Sequence, residues 1–376
     1  MIELKGQQAQ AFDAAVRWFK QPARDRKQVF TIFGSAGTGK TTLAKKFMEL
    51  ARCHFMTFSG KAALVMRKKG CYGATTIHSA IYKLTEEDAG GQPYFELNLD
   101  SETLRNVQLI ILDEMGMVDT EIGEDIMAFG IPVLALGDLN QLPPPSDRKP
   151  YFAHTKPDFV LTEVLRQAKE SPIITLAYQA LETGKLIPGK YGDSNVYSSS
   201  VKDSIVKASM LGADQVLCGK NATRVFNSHL MRRWKGMAGD QHEHLPMLGD
   251  RLVCLRNTHK KGILNGEQFT LEEFTNKDLG KVVTAKVRSL DVEGAPLVEI
   301  EVPWNWFFGT EGQLPQWEKA NFDQFFYADV MTVHKFQGSQ GDYICILDES
   351  KVFRENKKNH LYTAITRAAE KVDVFL

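Results

Sequence analysis

Gly34, Gly39, Lys40 and Thr41 stand in GSAGTGKTT at the spacing of a phosphate-wrapping loop. Such a loop turns successive backbone N–H groups inward around phosphate oxygens, and the helix that follows adds its partial positive charge. The residues offered to the phosphates are Gly34, Ser35, Ala36, Gly37, Thr38, Gly39, Lys40, Thr41 and Thr42. Lys40 suits the β- and γ-phosphates, and the Thr41 hydroxyl suits Mg²⁺. Farther on, VQLIILDE delivers Asp113 and Glu114 from the end of an apolar run. Asp113 can hold Mg²⁺ through water, and Glu114 can polarise an attacking water. The chemistry these residues describe is binding and hydrolysis of a nucleoside triphosphate.

Other side chains suit the same ligand. Gln8 carries an amide that donates and accepts at once, the property needed to read an adenine edge, though taken alone it reads as a solvated surface residue. Gln141, in GDLNQLPPP, lies where a γ-phosphate can be sensed, and the prolines after it make a rigid exit. Arg166 in EVLRQ and Arg367 in AITRAA are cations suited to a transferring phosphate. A second group suits the phosphates of a polymer: Ser59 and Lys61 in FSGKAA, Thr76 and His78 in ATTIHS. For Thr75 and Thr76, helix capping is the competing reading. Thr332, His334 and Lys335 open a polar turn in TVHKFQG, which Gln337 and Gly338 continue. His242 and His244 in HEHLP lack a second pair of ligands nearby and read as a polar loop.

These residues need elements to hold them. Val29–Phe33 before the loop and Leu43–Met48 after it read as strand and helix. Runs at His54–Phe58, Val107–Leu112 and Pro132–Leu136 read as strands, Val107–Leu112 as one buried on both faces, and 1–20 as an amphipathic helix. The pattern is α/β with parallel sheets, which puts ligands at the C-terminal ends of strands. Residues 85–105 interrupt it with a Gly90-Gly91 turn and the aromatics Tyr94 and Phe95. A second α/β unit follows, with strands at Gln215–Cys218 and Arg251–Leu255 around a helix bearing Arg224, Arg232 and Arg233. Short alternating strands over 257–326 read as an inserted β-barrel, which Trp304, Trp306, Phe307 and Phe308 fill or through which they stack bases. The α/β pattern then returns, ending in a helix bearing Arg367 and the strand Val372–Phe375.

Composition narrows the class. At 376 residues, two or three domains are expected. No apolar run approaches the ~18 residues of a membrane span, and MIELKGQQAQAF does not read as a signal peptide. Five scattered cysteines without a CxxC pair read as buried thiols in a reducing cytoplasm. The formal net charge of +0 requires any nucleic acid to be held in a local groove.

The series GSAGTGKT, TFSGKAA, ATTIHS, ILDEMGMV, LGDLNQLPP, EVLRQ, TVHKFQGS and YTAITRA closely resembles the RecD/Dda-like helicases of superfamily one, from Gln8 to Arg367. The resemblance implies two RecA-like domains, 1–165 and 166–376, with ATP and Mg²⁺ between them and single-stranded DNA across both. It makes 85–105 a β-hairpin pin carrying Tyr94 and Phe95 that splits the duplex, and 257–326 an SH3-like barrel. It makes Gln8 the adenine reader, Gln141 a coupling residue and Arg166 and Arg367 paired arginine fingers. Ser59, Lys61, Thr76, His78, Thr332, His334 and Lys335 fall on the DNA track, and Gly338 beside the nucleotide. The implied activity is ATP-dependent unwinding with 5′-to-3′ movement, in replication, recombination or repair. The alternatives are a motor subunit of a nuclease complex and an ATP-switched single-strand-binding scaffold. The implied partners are single-stranded and fork DNA, and a single-strand-binding or replication and recombination protein, for a cytoplasmic monomer. The compact form that phages encode is the better match, which would put it in a bacterial host cytoplasm. Gln340-Gly341 depart from the family, which often carries an acidic residue there.

Overall fold

The strand that feeds the glycine loop, β1 (Val29–Gly34), lies inside a six-stranded parallel sheet. Its companions are β2 (Cys53–Thr57), β3 (Thr75–Thr76), β6 (Leu109–Leu112), β7 (Val133–Gly137) and β8 (Phe159–Leu161). They run in the order β3-β2-β6-β7-β1-β8. The computed structural model describes residues 3–84, 95–143, 150–153, 156–164, 170–237, 244–256, 258, 261–263, 265–276, 281–292 and 294–376. Alternate residues of the central strands feed two cores. Ile32, Ile111, Leu134 and Leu136 pack on one face with Ala11, Ala15 and Trp18 of α1 (Gln7–Phe19). Phe33, Ile110, Leu112, Val133 and Ala135 pack on the other. A sheet covered on both faces needs apolar residues at every position, which explains the near-continuous runs in the sequence.

Two compact units make up the chain: Met1–Leu186 with Glu355–Thr366, and Ile187–Arg354 with Arg367–Leu376. The first therefore includes the helix Lys357–Ile365, drawn from near the end of the sequence. It also carries an antiparallel ribbon of β4 (Tyr82–Leu84) and β5 (Phe95–Leu97), in which Tyr82 faces Leu97 and Lys83 faces Glu96.

The second unit contains a sheet of β9 (Gly189–Tyr191), β10 (Ser194–Tyr197), β11 (Gln215–Cys218), β17 (Val330–Thr332), β18 (Gly341–Leu347) and β19 (Ala368–Phe375). Their order is β17-β11-β18-β19-β10-β9, parallel except where β9 meets β10. A separate antiparallel sheet runs β15-β14-β13-β12-β16. Its strands are β12 (Arg251–Cys254), β13 (Gln268–Asn276), β14 (Val282–Ser289), β15 (Leu297–Pro303) and β16 (Phe325–Tyr327). Among the described residues no ladder joins β15 to β16, but the Asp323 amide, two residues before β16, donates to the Glu301 carbonyl of β15 at 2.9 Å. Its core includes Leu252, Phe269, Ala285, Ile300 and Phe325, with Phe307 from a one-turn helix, Trp304–Phe308.

Two expectations need correction. Arg251–Cys254 belongs to the antiparallel sheet, paired with Gln268–Thr270 and Phe325–Tyr327, and not to the α/β sheet. A four-residue apolar run fits a buried strand of either kind, and only its partners decide. Arg367 stands on no helix: the helix ends at Ile365, and β19 begins at Ala368.

Candidate functional site

Because β6, β7 and β1 are adjacent and parallel, their C-terminal ends open on one edge of the sheet. That edge receives GSAGTGKTT from β1, Asp113-Glu114 from β6 and Asp138–Gln141 from β7. Phe33 lies level with Gly137 and Leu112 with Ala135, so the three turns leave at similar heights. On the same edge, the end of β2, beside β6, leads to Ser59 and Lys61, and the end of β3, one strand beyond, to Thr76 and His78.

The loop is built by its glycines. Gly37 and Gly39 take φ of 80° and 77°, a left-handed backbone closed to most side chains. At Gly34 an added Cβ would lie 2.6 Å from Thr38 Oγ1, so the turn closes only without a side chain. Thr38 is fully buried and donates its hydroxyl to the Ser35 carbonyl at 2.8 Å. Helix α2 (Lys40–Lys46) begins at once, and Lys40 Nζ donates to the carbonyls of Gly34 and Ser35. Thr41 and Thr42 occupy its first turn. Gln8 is 6% exposed and donates Nε2 to the Gly39 carbonyl at 3.1 Å, which ties α1 to the loop.

Asp113 and Glu114 leave β6 in different conformations. The Asp113 carboxylate accepts from the Glu114 amide at 2.9 Å. Glu114 itself has φ 56° and ψ 41°, a left-handed conformation that costs a non-glycine residue about 1–3 kcal/mol. Such strain collects where a side chain must be aimed. From β7, Asp138 accepts the Asn140 amide at 2.9 Å, and the Gln141 amide donates to the Asp138 carbonyl at 3.2 Å. Asn140 Nδ2 donates to Ser35 Oγ at 2.8 Å, joining this turn to the glycine loop.

The helix Lys357–Ile365 adds side chains that were not singled out from the sequence. Tyr362 is fully buried; its hydroxyl donates to Asp138 Oδ2 and accepts from the Ala36 amide, both at 2.6 Å. Burial, then the Asp138 charge, hold its phenol protonated far above the usual range. Asn359 Nδ2 donates to the Asn140 carbonyl at 3.1 Å, and Thr363 Oγ1 accepts the Leu142 amide at 2.7 Å. The tyrosine of YTAITRA was visible in the sequence, but on an apolar helix it reads as core.

The expected polymer contacts fall in both units. In the first, the hydroxyls of Ser59 and Thr76 cap α3 (Gly60–Lys68) and α4 (Ile77–Ile81), each accepting at 3.2 Å from Ala62 and Ser79 amides. Lys61 lies in the first turn of α3, and the ring of His78 is 5.3 Å from that of Tyr82. In the second, Thr332 ends β17, and its hydroxyl accepts from the Lys335 amide at 3.4 Å. His334 lies 5.6 Å from the Phe353 ring, and Gly338 has φ 75°. Arg367 is 6% exposed, with a long 3.4 Å contact to the Ser339 carbonyl. Arg166 and Tyr94 lie outside the described residues, as does His242. His244 departs from the polar-loop reading: its ring packs 4.1 Å from His229 and 5.4 Å from Phe308.

The donor set fits a nucleotide with Mg²⁺. That ion takes oxygen ligands, usually one or two carboxylates plus phosphate and water, and Thr41 and Asp113 offer oxygens of this kind. No group of three or more His, Cys, Asp or Glu forms a metal cluster among the described residues, which such a site does not require. No described helix is long and apolar enough to cross a membrane.

Residues 3–194 match the family model described as an AAA domain, and 327–374 one described as a UvrD-like helicase C-terminal domain. An ATP-dependent RecD2 DNA helicase of Deinococcus radiodurans is 28% identical over 92% of this chain and 46% of its own. The chain spans less than half the length of the curated relatives it matches. Among solved structures, Bacteroides Pif1 bound to single-stranded DNA has a TM-score of 0.56 and 16% identity, over 99% of this chain and 92% of that one. Pif1 helicase from Candida albicans has a TM-score of 0.54 and 16% identity, over 100% and 94%. At these identities the two structures speak for the fold.

Proposed function

Because the chain belongs to the AAA-domain family and groups with the RecD/Pif1-like helicases of superfamily one, we propose that it is an ATP-driven DNA helicase. The observation that carries the proposal is the convergence of the glycine loop, Asp113-Glu114 and Asp138–Gln141 on adjacent strand ends. Lys40 and the loop amides from Gly34 to Thr42 hold the triphosphate of ATP, with Gln8 toward the base. Thr41 and, through water, Asp113 would hold Mg²⁺, which when bound would supply neutralisation of phosphate charge. Glu114 takes the proton of the attacking water, and its strained backbone aims the carboxylate. Gln141, in the turn after β7, senses the γ-phosphate as the coupling residue, and Arg166 and Arg367 supply charge to the transferring phosphate.

The substrate is single-stranded DNA reached from a fork. Ser59, Lys61, Thr76 and His78 contact it from the first unit, and Thr332, His334 and Lys335 from the second. The proposed direction is 5′ to 3′, and the β4–β5 ribbon bases the proposed strand-separating pin. A strand-displacement assay with purified protein, ATP and Mg²⁺ on 5′-tailed and 3′-tailed duplexes tests this. Unwinding of the 5′-tailed duplex alone is expected. Unwinding from a 3′ tail would overturn the polarity, and ATPase without any displacement would overturn the helicase.

A further inference from the structure

The helix Lys357–Ile365 presents Asn359, Tyr362 and Thr363 at i, i+3 and i+4, the spacing that puts three side chains on one helical face. All three bond to the turn after β7: Asn359 to Asn140, Tyr362 to Asp138 and Thr363 to Leu142. Tyr362 also goes farther. Its oxygen accepts the Ala36 amide at 2.6 Å, and Ala36 lies in the loop whose amides cradle phosphate oxygens. The phenol keeps its proton, so the direction is fixed: the hydroxyl gives its proton to Asp138 and its lone pair to Ala36. A neutral oxygen and a phosphate oxygen are thus rival acceptors for one backbone N–H.

We propose that Tyr362 is a positioning residue that reads the nucleotide state of the glycine loop. A phosphate oxygen takes the Ala36 amide from Tyr362, and the Asn359–Thr363 face loosens its hold on the Asp138–Leu142 turn. The bonds that Tyr362 makes resist nucleotide binding and transmit it to the helix. This rests on the reading of GSAGTGKTT as a triphosphate site.

The test measures binding of fluorescent ATPγS to wild-type protein and Tyr362→Phe, with hydrogen exchange over Lys357–Thr366. Removing the rival acceptor should tighten binding about 2–12-fold, the worth of one net hydrogen bond. ATPγS should speed exchange of this helix in the wild type and change it little in the variant. A tyrosine that merely props the site would, when lost, weaken binding. If the wild type binds and the variant binds equally or less tightly, the inference is overturned while the triphosphate site stands. Should the wild type fail to bind ATPγS, the triphosphate reading falls with it. Should the variant not fold, the wild-type exchange decides, and unchanged helix exchange on ATPγS addition overturns the inference.

Discussion

Gln8 Nε2 donates to the Gly39 carbonyl at 3.1 Å, so a residue of the first helix is bonded to the glycine that introduces Lys40. One amide hydrogen serves the loop, and the other hydrogen and the Oε1 remain polar equipment of a group that is 6% exposed. Gln8→Ala should therefore raise KM for ATP by about 2–12-fold, the range of one net hydrogen bond, and narrow the preference for ATP over GTP. Steady-state kinetics with both nucleotides checks this. An unchanged ATP-to-GTP ratio would leave Gln8 as a brace for the loop and remove it as a reader of the base.

Glu114 is held at φ 56° while its neighbour Asp113 accepts its amide. Glu114→Gln keeps shape and strain and removes only the base. Nucleotide affinity should persist while turnover falls about 10²–10⁴-fold, the usual share of general-base catalysis. Lys40→Ala should instead lose both affinity and turnover, because the phosphate charge loses its side-chain cation. Wild-type turnover in Glu114→Gln would give the base to another group.

The residues nearest the proposed chemistry were the most legible in the sequence. GSAGTGKTT declares itself because glycine reaches the left-handed angles at 37 and 39 without strain, and Asp113-Glu114 because an apolar run precedes them. Tyr362 escaped notice for the opposite reason. Its partner Ala36 is 326 residues away, and nothing local marks a helical tyrosine as polar equipment. Likewise, Ala368, Ala369, Glu370 and Lys371 are helix formers, so the sequence carries the helix through Arg367. The parallel ladder of β18 with β19 overrides that preference. Long-range pairing, not local propensity, decided each of these positions.

A half-buried and a buried histidine, His54 and His229, give the fold an acid limit. Burial, then the Arg67 charge, lowers His54 from 6.5 to about 4, while its Nε2 meets Thr75 Oγ1 at 2.8 Å. Burial, then His244 and nearby arginines, likewise lowers His229 from 6.5 to about 4. Both rings are neutral when folded and take protons more readily when unfolded. Stability is therefore complete above about pH 6.5 and falls as pH drops toward 4, by on the order of 2–3 kcal/mol per histidine. Urea titrations between pH 7.5 and 4.5 should show the loss, and His54→Gln, which does not titrate, should reduce its slope. Parallel pH curves for variant and wild type would clear His54 of the effect.

The β4–β5 ribbon allows movement along DNA to be separated from unwinding. Its ladder pairs Tyr82 with Leu97, Lys83 with Glu96 and Leu84 with Phe95, so residues 85–94 join two antiparallel strands at one end. In sequence it lies between α4, with His78, and β6, which delivers Asp113. Replacing 85–94 with a short Gly-Ser turn should keep the ladder and its Lys83–Glu96 ion pair, since both lie below the cut. If Tyr94 and its neighbours form the pin, single-strand-stimulated ATPase and translocation should stay near wild type. Strand displacement from a fork should fall at least tenfold, because the motor would still step without prising the strands apart. A drop in ATPase of the same size would show damage to the unit that holds Lys40 and Asp113. Displacement at the parent rate would move the pin elsewhere, with Trp304 and Trp306 on the short helix beside the antiparallel sheet next to be substituted.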